Sequence, residues 1–109
     1  MKLVIGPKIQ IGALEFNIYW NDALLEKMEL QAYISSKDQA IRLAHRSPDK
    51  QWTNLIHEIL HGITNEFDLR IEDEKVERYF STFAHGLAIA LNSLGVEPDF
   101  SQIPEESKG

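Results

Sequence analysis

A chain of 109 residues supports one hydrophobic core, since two independent cores would each be too small to stand alone. Its 43% hydrophobic and 26% charged residues fit a folded globular domain and exclude a disordered tail. The net charge of −6, with no lysine- or arginine-rich stripe, excludes nucleic acid as a partner, and the absence of cysteine excludes disulfides and thiolate metal sites.

No apolar run approaches the roughly 18 residues of a membrane span, so no membrane partner is expected. The opening "MKLVIGPKIQ" is too short and interrupted for a secretory signal. The expected compartment is the cytoplasm, or a host cytoplasm if the gene is viral.

The first half alternates with a period of two. In "IQIG" Ile9 and Ile11 share one side, and in "LEFNIYW" Leu14, Phe16, Ile18 and Trp20 alternate with Glu15, Asn17 and Tyr19. That is the pattern of half-buried strands. "ALLEKMEL" fits a helical turn or a continuing strand, and "LQAYIS" with "AIRLAH" reads as a hairpin joined by "SKDQ". The expectation is a small, mostly antiparallel sheet of three to five strands within residues 1–46, one face buried.

The period then changes. Ser47 reads as an N-cap and Pro48 as the first helical residue. The helix should run to about Thr64 with Trp52, Ile56, Ile59, Leu60 and Ile63 inward. A second helix should span about Asp73 to Leu94 and stop at Gly95. Its apolar face would be Val76, Phe80, Phe83, Leu87, Leu91 and Leu94. Residues 96–109 read as an extended tail. The whole of 1–109 is thus a single α+β domain: an antiparallel sheet, then a helical hairpin spanning 47–95.

The first helix carries "TNLIHEILHGITNEF". Residues four apart on a helix stack on one face, so His57 and His61 can present two imidazole nitrogens to one Zn²⁺. Glu58 lies about 100° round from His57, where it can reach a water on the ion and act as general base. Both histidines fall off the helix's apolar face, which argues against core histidines.

A catalytic zinc takes a third protein ligand. An antiparallel helix pair turning near Asp68 sets His61 opposite residue 75 and His57 opposite residue 79. That bracket admits Asp73, Glu74 and Glu77 and leaves His85 about two turns too far along. Glu74 lies well off the second helix's apolar stripe, Glu77 at its edge and Asp73 nearer to it. The order of preference is therefore Glu74, Glu77, Asp73. Each of the three also reads as a first-turn carboxylate complementing the helix dipole.

"WTNLIHEILHGI" followed by "EDEKVERYFSTFAHGLAIAL" resembles the small phage and prophage H-E-x-x-H proteins. More distantly the chain is similar to ImmA/IrrE-type metallopeptidases and to gluzincin zinc peptidases. The resemblance implies a zincin-like minimal fold and a metallopeptidase acting on a peptide or protein substrate. It implies His57 and His61 as zinc ligands, Glu58 as base and Glu74 as the best match for the third ligand. Gluzincins have a small residue and an acid where this chain has Lys75 and Arg78. "AIRLAH" is the expected edge strand for an extended peptide.

The rival reading is a non-catalytic zinc-binding structural or host-interaction protein that keeps the helix. Trp20 and Trp52 read as core aromatics rather than ligand platforms. His45 reads as a solvated strand end, with an approach to the cleft as the alternative. Tyr79 reads as core, with a hydrogen bond to a reaction intermediate as its alternative, and His85 as surface.

Overall fold

The computed structural model describes residues 1–69 and 75–107. In chain order they form β1 (Lys2–Val4), β2 (Lys8–Ile11), β3 (Leu14–Trp20), α1 (Asp22–Met28), β4 (Ala32–Ser35), β5 (Ala40–Leu43), α2 (Pro48–Glu66), α3 (Val76–Ser93) and β6 (Glu97–Asp99). The fold is α+β, with strands leading and a helical pair following, as expected. Among the described residues no helix is long and apolar enough to cross a membrane.

Alternation does its work in β3, where Phe16, Ile18 and Trp20 point into the core. The β2–β3 hairpin turns at Gly12, whose φ of +61° is a left-handed conformation that suits glycine. "DALLEKM" is helical, opened by Asn21, whose side chain accepts the Leu24 N–H at 3.0 Å.

The main sheet has the order β2-β3-β5-β4. Its β4–β5 hairpin is antiparallel as the sequence implied, but β5 pairs with β3 in parallel, so the sheet is mixed. The sheet is mostly antiparallel, as expected, with the β3–β5 pair as the exception, and one expectation is corrected: β5 ("AIRL") is interior rather than an edge. Ala40, Ile41 and Leu43 are buried together, which suits a strand covered on both sides. The edges are β2 and β4, and the four residues of β4 are all half-buried. Period-two patterning reports which face is buried and carries no information on pairing direction.

β1 and β6 form a separate parallel pair. Beyond it the tail returns to the sheet, with Ile103 buried and Glu105 bridged to Trp20. Glu106 takes a two-pronged contact from Arg42, at 2.8 and 2.9 Å, and a third bond from the Asn21 amide at 2.7 Å. The Arg42 and Asn21 hydrogen bonds outweigh partial burial and hold the Glu106 carboxyl below its ordinary value.

A carboxyl depressed in the folded state stabilises the fold above its unfolded pKa, and the gain is lost as pH falls through the depressed value. Glu106→Gln should therefore cost about 1–2 kcal/mol at pH 7. The gap from wild type should close on acidification, as measured by urea unfolding at a series of pH values.

Helix α2 starts at Pro48 as expected, but the Ser47 side chain makes no cap bond. The buried Gln51 side chain holds the entry instead, accepting the Arg46 N–H at 3.0 Å. α2 packs on the sheet and on α3 at once. Its buried set is accordingly wider than one stripe: Leu55 and Glu58 join Trp52 and Ile56, while Ile63 is left exposed.

Helix α3 meets the core through Phe80, Ala84 and Ala88, with Leu91 half-buried. Phe83, Leu87 and Leu94, expected inside, are exposed. Alanines let two helix axes approach closely, and that close contact turns the larger side chains outward.

Candidate metal centre

Two turns of α2 and the first turn of α3 bring His57, His61 and Glu77 together. The Nε2 atoms of the histidines lie 3.1 Å apart. Glu77 Oε2 is 3.0 Å from His57 Nε2, and its Oε1 is 2.5 Å from His61 Nε2. For a tetrahedral zinc with bonds of about 2.0–2.1 Å, ligand atoms stand roughly 3.3–3.4 Å apart. The three separations fall short of that by less than an ångström, so a small outward shift admits an ion. The donor set, two imidazoles and a carboxylate, suits zinc among several divalent transition metals. It counts three ligands among the described residues, one fewer than a closed structural site requires.

The histidines are braced from α3. Phe80 meets both rings edge-on, with centroids 4.9 Å from His61 and 6.3 Å from His57. Ser81 Oγ lies 3.4 Å from His57 Nδ1, and Ser81 shares a helix face with Glu77 four residues earlier. A proton on Nδ1 directed at that hydroxyl leaves the Nε2 lone pair facing His61 and Glu77. Burial holds His57 below its ordinary value, assisted by the His61 imidazole and opposed by the Glu77 carboxylate. A neutral ring is the form that coordinates a metal.

Glu58 is 8% exposed, because the sheet-facing side of α2 buries it. Burial foremost, and then the Glu77 carboxylate, push its pKa up to about 7 against the Ile34 backbone N–H, which lowers it. A carboxyl poised there can hold or release a proton near neutrality. Glu58, His57, His61 and Glu77 line one cleft of about 300 Å³ with Leu30, Ala32, Tyr33, Ile34 and Asn65.

The far wall of that cleft is the edge strand β4. Gln31 C=O accepts from Ala44 N–H, which fixes the alternation. Tyr33 and Ser35 face β5, and the backbone groups of Ala32 and Ile34 face away from it. The open row of the sheet thus borders the cleft.

Of the three predicted third ligands, Glu77 is the one among the described residues; Glu74 and Asp73 lie outside them. The register that set His61 opposite residue 75 and His57 opposite residue 79 holds, since Glu77 falls between the two. His45 stays out of the cleft: it is exposed, stacked on Trp20 at 4.2 Å and paired with Asp22 at 3.1 Å. Trp20 and Trp52 are core aromatics and His85 is exposed, as expected. Tyr79, expected in the core, is also exposed, because α3 turns Phe80 inward in its place.

From sequence alone, Ser81, Tyr33 and Asn65 carry no site role, and Phe80 is marked only as a core residue of the second helix. Ser81 was within reach, standing one helical turn beyond Glu77. No family model, curated protein or solved structure matches this chain.

Proposed function

We propose that this protein is a zinc-dependent hydrolase, a small metallopeptidase of phage or prophage type with a zincin-like minimal fold. The observation that carries the reading is the convergence of His57, His61 and Glu77 within 3.1 Å, beside the buried Glu58 and an open strand edge. When bound, the ion would supply Lewis acidity, polarising the scissile carbonyl and acidifying a water.

The protein's own residues supply the rest. Glu58, with its pKa of about 7, takes a proton from the attacking water and passes it to the leaving amine. The outward backbone groups of Ala32 and the Ile34 C=O hold an extended peptide as an added strand, which aligns its carbonyl with the cleft, while the Ile34 N–H stays with Glu58. Ser81 and Phe80 keep the imidazoles in place. In this arrangement β4 does the work that sequence alone had given to "AIRLAH".

Incubating the zinc-loaded protein with a library of unstructured peptides, read by mass spectrometry, tests the reading. Cleavage that stops on chelation and returns with zinc is the expected result. A protein that binds zinc and cleaves none of the library is a metal-binding interaction protein, and the hydrolase reading falls.

A further inference from the structure

Among the described residues, the shoulder of α3 turned away from the histidines has no partner. Glu77 and Ser81 look toward the metal centre, and Phe80, Ala84 and Ala88 look into the core. Roughly a quarter-turn further round lie Tyr79, Phe83, Leu87, Ala90 and Leu94, at helical spacings of three and four. The four large ones are 47%, 63%, 48% and 78% exposed, and Ala90 is exposed too. Together they show on the order of 500 Å² of apolar surface, near the top of what a monomer leaves in one patch.

We infer that the chain forms a two-fold symmetric homodimer in which this shoulder of α3 packs antiparallel on the same shoulder of a second copy. The order of residues along the stripe argues for a second copy as the occupant. A two-fold axis midway between Gly86 and Leu87 sets Tyr79 opposite Leu94, Phe83 opposite Ala90, and Gly86 opposite Leu87. Each large side chain but one pair meets a small one, so the surface complements itself.

Gly86 sits beside the axis, and a Cβ built there meets nothing within 4 Å. That space is open to the other copy's Leu87. Charge points the same way. A chain of net charge −6 repels its like through most surfaces, yet Glu77, Arg78 and His85 all lie off this stripe. Antiparallel helices also set opposite dipole ends together. Two copies would bury about 1,000 Å² in all, where specific interfaces begin. Both clefts stay open, because Glu77 and Ser81 lie on the opposite shoulder.

Sedimentation velocity of the full chain across 1–200 μM (concentrations chosen to span a weak dimer's dissociation constant) tests this. The expected species has twice the 12.5 kDa chain mass. Phe83→Glu should halve the mass while leaving the circular dichroism and zinc content unchanged, since residue 83 is exposed in the single chain. Gly86→Cys, in a protein without cysteine, should oxidise to a covalent dimer, whereas His85→Cys on the polar side should not. A monomer at the highest concentration overturns the proposal. So does a dimer that survives Phe83→Glu, or equal cross-linking at both cysteine positions. None of these outcomes bears on the metal centre.

Discussion

Glu58→Gln should keep the metal and lose the reaction. The amide has the carboxylate's shape and can still accept the Ile34 N–H, so α2 and its histidines stay where they are. It cannot take a proton from water. Removing a positioned general base costs about 10²- to 10⁴-fold in turnover, so kcat should fall by that factor with KM little changed. Zinc content, read by mass spectrometry of the native protein, should match wild type. Equal turnover by the variant at equal zinc content would remove Glu58 from the mechanism and the peptidase reading with it.

Zinc at a hundred times its dissociation constant should raise the unfolding midpoint by about 10 °C. Binding to the folded state alone contributes about 2.7 kcal/mol at that excess. The unfolding entropy of a domain this size converts that to roughly 10 °C. The shift should vanish in His61→Ala, because a single imidazole with one carboxylate no longer encloses the ion. Glu77→Ala should lose most of it too. Glu74→Ala is the informative companion: a shift kept there and lost in Glu77→Ala gives the third position to Glu77, and the opposite pattern gives it to Glu74. Differential scanning calorimetry of chelated and zinc-loaded protein reads all four forms.

Part of this centre was legible in the sequence because helix geometry is local. Two histidines four apart must stack, and Ser47-Pro48 announces the helix that stacks them. The hairpin register needed only the turn near Asp68, and it led to residues 75–79. The rotation of α3 about its own axis was not legible. A stripe drawn through Phe83 and Leu87 places Glu77 at its margin. The buried line of Phe80, Ala84 and Ala88 lies roughly 60° away and turns Glu77 toward α2.

Size misled there, since the alanines that allow close helix packing look unremarkable beside phenylalanine and leucine. Glu58 was singled out by its place beside His57 in the motif, while its burial depended on α2 being covered from two directions. The parallel pairing of β3 with β5 was out of reach for a different reason. Alternation in "LEFNIYW" and "AIRL" is the same whichever way the neighbouring strand runs.

Strand β4 carries a cost along with the role proposed for it. Apart from the Ile34 N–H, which Glu58 takes, the outward backbone groups that would meet a peptide are equally open to any other extended segment, including β4 from another molecule. The strand is four residues long, and the overhanging α2 limits what can approach. Both features restrain fibril-like stacking and leave room for a short guest. A brief backbone mimic that carries its own metal-seeking group would use the same opening as an inhibitor.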